Sequence, residues 1–170
     1  APYLIAFGSD EQNDRWLTPL VAGEKIGAIA MTEPGTGSDL ASIATTARPD
    51  GDDFVLNGAK TFISNGLLAD FVIVVARTDA DAGRDGFSLL VVEDGMPGFT
   101  RSGPLKKIGL GAQDTAELSF ANVRVPRANV LGKPGDGWKQ LRHNLPIERL
   151  HIAVTSMARM RATFDQALAY

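Results

Sequence analysis

The sequence predicts a mainly β domain with helical ends, an α+β arrangement with a small barrel or a pair of crossed sheets at its centre. Three observations carry this expectation. Phe71-Val-Ile-Val-Val is continuously apolar, as a strand buried on both faces would be, and Phe87-Ser-Leu-Leu-Val-Val is a second such run. Short strand-like segments separated by turn signals fill the stretch around these runs, a pattern of barrels and sandwiches. Beyond them, Ile147, Leu150, Val154, Met157, Met160, Phe164 and Leu168 recur at steps of three and four, which is helical spacing.

Composition narrows the function classes. With 170 residues the chain can bury one sizeable core, and 44% hydrophobic with 22% charged residues is ordinary for a globular domain. A net charge of −3 supplies no basic field, so nucleic acid is not an expected partner. Zero cysteines exclude disulfides, thiolate catalysis and cysteine-based metal sites. His143 and His151 are eight residues apart, about two helical turns, too far to share a metal, and no metal site is expected. The longest apolar run, Phe71 to Ala76, is far short of the roughly 20 residues of a membrane-spanning helix.

The elements follow in order. Residues 1–23 read as the end of a helical domain. Ser9 and Gln12 form a capping-box pair, Trp16, Leu17 and Leu20 give a buried side, Pro19 should kink or end the helix, and Gly23 is a plausible stop. Residues 24–136 read as the β domain. Ile26 to Thr32 is its first apolar run, followed by a loop from Glu33 to Asp39. Phe54-Val-Leu and Thr61-Phe-Ile flank Asn57-Gly58, which suits a tight hairpin. Asp79 to Gly86 is a polar surface loop. Leu118 and Phe120 alternate inward and Val123 and Val125 resume after a one-residue slip, which predicts a bulge at Ala121-Asn122. Residues 137–170 read as the first helix of a further, truncated domain, with Pro146 in its first turn. That helix runs to Tyr170 with its apolar pattern unbroken, so the chain reads as part of a larger protein with exposed apolar patches.

Two loops carry candidate chemistry. Gly35-Thr-Gly-Ser-Asp-Leu40 begins like a dinucleotide fingerprint, but Leu40 stands where the third glycine belongs. Met31-Thr-Glu-Pro-Gly-Thr-Gly-Ser-Asp39 combines glycines and hydroxyls after a strand; it reads either as a tight surface turn or as backbone N–H groups converging on a phosphate or a polar ring edge. In Lys60-Thr-Phe-Ile-Ser-Asn-Gly66, Phe62 and Ser64 share one face of a strand. An aromatic and a hydroxyl placed so could meet the plane and the edge of a flat ring, although Phe62 could equally be an ordinary core residue.

Together, the run Gly27 to Asp39 and the run Lys60 to Gly66 resemble the flavin-binding signature of the acyl-CoA dehydrogenases. Lys107 to Leu118, Asn122-Val-Arg-Val-Pro126, Asn129-Val-Leu-Gly132 and Leu145-Pro-Ile-Glu-Arg-Leu150 resemble later motifs of that family, and the likeness extends from Phe7 to Tyr170. The stretches Ala112-Gln-Asp-Thr and Pro146-Ile-Glu-Arg are most similar to long-chain-type members.

The resemblance implies a middle β-barrel domain of a three-domain flavoenzyme with FAD as cofactor. It implies cofactor contacts at Ile29, Met31, Thr32, Gly37, Ser38, Phe62, Ile63 and Ser64, with Thr32 and Ser64 on the isoalloxazine edge and Phe62, where many members have Trp, against the ring. Substrate contacts would fall at Ser38, Pro146, Ile147, Glu148 and Arg149, and the loop at Arg84-Asp85 could reach CoA. The implied reaction forms a trans-2-enoyl-CoA from an acyl-CoA, as in fatty-acid β-oxidation, with an electron-transferring flavoprotein as acceptor; the base is Glu148, as the likeness of Pro146-Ile-Glu-Arg149 to long-chain and isovaleryl types implies, or a residue beyond Tyr170, as in many other members. The alternatives are an oxidase or monooxygenase of the same superfamily, or a non-catalytic binding module, since the isolated chain is expected to be inactive. A homodimer or homotetramer is expected of the full-length enzyme, in a bacterial cytoplasm.

Overall fold

The computed structural model describes residues 1–170, which divide into two compact units, Ala1–Trp138 and Lys139–Tyr170. Helix α1 (Pro2–Phe7) opens the first unit. After it, the Ser9 Oγ accepts from the Gln12 N–H at 3.3 Å and the Gln12 Oε1 accepts from the Ser9 N–H at 3.1 Å, the reciprocal cap expected from the sequence. The helix so started continues as α2 (Asp10–Gln12), a π-helical turn (Asn13–Leu17) and α3 (Thr18–Val21). Pro19 has no N–H to give, and it falls where the wide turn hands over to α3. Trp16 is buried here, its ring 6.3 Å from that of Phe71, and its Nε1 donates to Glu93. The Gln12 Nε2 donates to the carbonyls of Ala128 and Val130 at 2.7 and 2.8 Å, tying these helices to the far end of the β domain.

Seven strands form one mixed sheet: β1 (Gly27–Ala30), β2 (Thr46–Asp50), β3 (Asp53–Ser64), β4 (Phe71–Arg77), β5 (Phe87–Glu93), β6 (Phe99–Ser102) and β7 (Thr115–Pro126). The order is β1-β4-β2-β3-β7-β6, with β5 antiparallel on β4. The sheet curls into a half-barrel around Phe54, Leu56, Val72, Val74, Leu90 and Leu118. Strand β4 is buried from Phe71 to Ala76 and β5 from Phe87 to Val92, as their unbroken apolar runs require. The mainly β architecture with helical ends is therefore the observed one.

The long pair β3–β7 carries two bulges. Leu56 faces Val123 and Gly58 faces Phe120, so Ala121 and Asn122 together oppose Asn57; this is the bulge expected from the slipped alternation. Asn122 takes φ +53, and the Asn57 Oδ1 accepts from its N–H at 2.9 Å. The second bulge lies on β3, where Thr61 and Phe62 together oppose Glu117.

Two expectations are corrected. Asn57-Gly58 does not turn a hairpin: Asp53 to Ser64 is a single strand, paired with β2 on one side and β7 on the other, and these residues face the β7 bulge instead. The turn lies at Gly51-Asp52, between paired Asp50 and Asp53, where Gly51 supplies the positive φ of +62. Pro146 is likewise not in a first helical turn. Helix α4 runs from Gly137 to Ala169, and Pro146 lies inside it. Trp138, Leu141 and Leu145 extend the apolar spacing backwards across the proline, and that longer helix absorbs the hydrogen bond the proline cannot make. Along α4 the apolar residues Ile147, Leu150, Val154, Met157, Met160 and Phe164 are exposed, as anticipated. No helix is long and apolar enough to cross a membrane.

Candidate functional site

Where β1 ends and β3 bulges, the first unit presents an open groove of about 340 Å³, lined by Gly27, Ala28, Ile29, Met31, Thr32, Phe62, Ile63, Ser64 and Asn65. Six of the eight expected cofactor positions meet there: Ile29, Met31, Thr32, Phe62, Ile63 and Ser64. The groove falls within the size range of small-molecule sites.

The bulge decides which way Phe62 points. On β3 the inward residues are Phe54, Leu56 and Lys60, so simple alternation would send Phe62 inward as well. The extra residue at Thr61-Phe62, with Phe62 at φ +59, inverts the alternation; Ile63 turns in at 3% exposure and Phe62 turns out at 68%. Ser64 is exposed on the same side as Phe62. Phe62 is therefore no core residue. An outward ring held at a strained backbone angle stands beside two hydroxyl side chains and an aliphatic floor, a set suited to a flat aromatic ligand with a polar edge.

Both walls are fixed from behind. On the β3 side, Asn65 takes φ +61 and Gly66 follows it; a Cβ on Gly66 would lie 2.8 Å from the Ala116 Cβ. Asp114 holds this exit, its carbonyl accepting from the Asn65 N–H at 3.2 Å and its carboxylate from the Leu67 N–H at 2.7 Å. Arg101 donates to the Ala69 carbonyl at 2.7 Å. On the β1 side, the fully buried Lys60 Nζ donates to the Met31 carbonyl at 3.0 Å and to the Glu33 Oε1 at 2.9 Å. Glu33 in turn accepts from the backbone N–H groups of Ala44 and Thr45 at 2.7 and 3.0 Å, and the Thr61 N–H donates to the Thr32 carbonyl at 2.9 Å.

Gly37 and Ser38 do not line the groove. They lie in the turn beyond it, where a Cβ on Gly37 would come within 3.9 Å of the Thr32 side chain. Pro146, Ile147, Glu148 and Arg149 lie on α4 in the second unit, with Glu148 partly exposed. His143 and His151 also lie on α4, and no cluster of three or more metal-ligating side chains occurs. Arg84 and Asp85 lie in a short 3-10 turn, Gly83–Gly86, with the Arg84 guanidinium 4.9 Å from the centre of the Trp138 ring.

Residues 28–123 match the family model for the acyl-CoA dehydrogenase middle domain. The chain belongs to the acyl-CoA dehydrogenase family. It is 48% identical over 171 residues to the mitochondrial long-chain specific acyl-CoA dehydrogenase of Sus scrofa, covering 99% of this chain and 40% of that protein. The crystal structure of an acyl-CoA dehydrogenase from Geobacillus kaustophilus superposes with a TM-score of 0.86 at 53% identity, covering 90% of this chain and 41% of that one. A structure described as the electron transferring flavoprotein of Acidaminococcus fermentans, with flavin-based electron bifurcation as its subject, gives a TM-score of 0.79 at 42% identity, covering 81% and 36%. The chain thus spans about two fifths of the length of the relatives it matches.

In this member of the family, sequence reasoning passed over Lys60, Glu33 and Asp114 as site residues. Lys60 was detectable: it is the one charged residue among the inward positions of β3, and a buried ammonium requires a partner. Burial pushes Lys60 down to about 8, against the raising effect of Glu33. For Glu33, burial pulls upward, but the hydrogen bonds from Lys60, Thr45 and Ala44 and the charge of Lys60 outweigh it and leave its carboxyl below the usual range. Since the folded Lys60 releases its proton at lower pH than the unfolded chain does, the unfolded state binds more protons between about pH 8 and the ordinary lysine value of 10.5. Stability should therefore gain a rising component with pH across that window. Urea denaturation at pH 7.5, 9 and 10.5 should show it, and Lys60→Met should abolish it; an equal slope in both proteins would refute the assignment.

Proposed function

We propose that the full-length protein is an FAD-dependent acyl-CoA dehydrogenase that introduces a trans-2 double bond into an acyl-CoA thioester. The observation that carries this reading is the groove, whose lining brings together an outward Phe62, the hydroxyl residues Thr32 and Ser64, and the aliphatic Ile29 and Met31. This donor set fits a flavin ring: aliphatic and aromatic surface for its faces, and hydroxyls for its polar edge. Thr32 and Ser64 would hydrogen-bond that edge, Phe62 would cover one face, and Gly37 and Ser38 would follow the cofactor outward toward its pyrophosphate and the pantetheine arm of the thioester.

When bound, FAD supplies a hydride acceptor. The chain's own part is binding, exclusion of water and proton removal. A thioester acidifies its α-hydrogen, and Glu148 is the carboxylate proposed to remove that proton. Pro146, Ile147 and Arg149 would border the acyl chain, with Arg149 orienting the segment. Reducing equivalents would leave to an electron-transferring flavoprotein; the likeness to the Acidaminococcus fermentans structure supports a shared flavin-carrying scaffold. A homodimer or homotetramer in a bacterial cytoplasm is the assembly and location proposed.

The test is a titration of the full-length apoprotein with FAD, followed by turnover of palmitoyl-CoA with a dye acceptor against oxygen alone. Stoichiometric uptake and dye-dependent turnover are expected. No FAD uptake would overturn the reading, and turnover with oxygen alone would make the protein an oxidase of the same superfamily.

A further inference from the structure

The pairing of β1 with β4 ends at Ala30, so the sheet itself does not fix Met31 and Thr32, which form one wall of the groove. Their support comes from three consecutive anchors: the Met31 carbonyl on the Lys60 Nζ, the Thr32 carbonyl on the Thr61 N–H, and the Glu33 carboxylate on Lys60, Ala44 and Thr45. Lys60 and Thr61 belong to β3 immediately before Phe62, so the strand that carries the opposite wall also grips this one. Lys60 is 0% exposed and Glu33 7%. A buried ion pair can often be replaced by apolar side chains of similar volume without loss of stability, so stability alone is a weak reason for one here. Its geometry offers something else. A single ammonium bridges the backbone of the Thr32 wall to a carboxylate that is itself held by the backbone at Ala44 and Thr45.

We infer that Lys60 and Glu33 are positioning residues: a buried latch that sets the distance between the Thr32 wall and the Phe62–Ser64 wall, and so the fit of the flavin edge between them. The inference rests on the flavin reading of the groove. Neither side chain lines the groove, so both act through Met31 and Thr32.

The test compares the full-length protein with Lys60→Met and with the double variant Lys60→Met, Glu33→Gln. Four properties are measured: thermal unfolding, the Kd for FAD, the visible flavin spectrum, and amide hydrogen exchange in peptides covering residues 31–36. Lys60→Met alone leaves Glu33 buried without its counter-charge, so its unfolding temperature should fall. The double variant should recover most of that loss yet bind FAD at least tenfold more weakly, with a shifted flavin absorption band and faster exchange over residues 31–36. If the double variant fails to fold, Glu33→Gln alone, which keeps the volume and removes the carboxylate, should show the same three changes at smaller amplitude. A stable variant with the parent's Kd and spectrum overturns the inference. A parent that takes up no FAD overturns the flavin reading instead; the latch then stands or falls on the exchange at residues 31–36, and an unchanged rate there would overturn it.

Discussion

Glu33→Ala should lower the unfolding free energy by about 3–5 kcal/mol, the usual cost of breaking a buried ion pair from one side. The substitution leaves the fully buried Lys60 ammonium without its counter-charge and strips the Ala44 and Thr45 N–H groups of their acceptor. Urea denaturation of the full-length protein at neutral pH measures the effect. The contrast is Arg124→Ala, which breaks ion pairs to Asp50 and Asp53 at 2.7 and 3.1 Å on an exposed part of β7 and should scarcely shift the transition. Similar small losses in both variants would show that burial of the Lys60–Glu33 pair does not carry the weight given to it.

Glu148→Gln should slow reduction of bound FAD by acyl-CoA at least about a hundredfold in the full-length enzyme, because glutamine keeps the shape and hydrogen bonding of the side chain but cannot take a proton. FAD binding should survive, since the proposed flavin groove lies wholly in residues 27–65. The sequence places Glu148 in a first helical turn, where backbone N–H groups would hold its charge. In the structure it lies well past the start of α4 at Gly137, outside the helix's first turn. Stopped-flow measurement of flavin bleaching decides the matter: a near-parental rate in the variant would place the base elsewhere.

Much of the fold was legible because several local signals have one structural meaning. The Ser9–Gln12 cap, the two unbroken apolar strands and the slip from Phe120 to Val123 all resolved as read. The errors arose where one signal has two meanings. Asn-Gly serves a hairpin or the partner of a bulge, and only the pairing of β3 with both β2 and β7 separates them. Proline suits a first turn, yet a helix long enough and apolar on both sides of it can carry one within. In the candidate site, the hydroxyls and Phe62 were recognisable by type and spacing. The Lys60–Glu33 pair was not, since its two members are far apart in the chain and meet only when β3 passes beneath the segment after β1.

The two bulges of the β3–β7 pair have a consequence for how such a protein can change by insertion and deletion. The first adds a residue to β7 and the second adds one to β3, so Ile63–Ala116 and Leu56–Val123 stand in the same pairing frame, while the stretch between them is displaced by one. The positive φ of Phe62 thus belongs to one half of a compensated frameshift written into the sheet. Losing the codon for Thr61 would straighten the ladder and leave Phe62 alone opposite the exposed Glu117, between inward Lys60 and inward Ile63, so its ring would still face out but from regular extended backbone in place of the positive φ of the bulge.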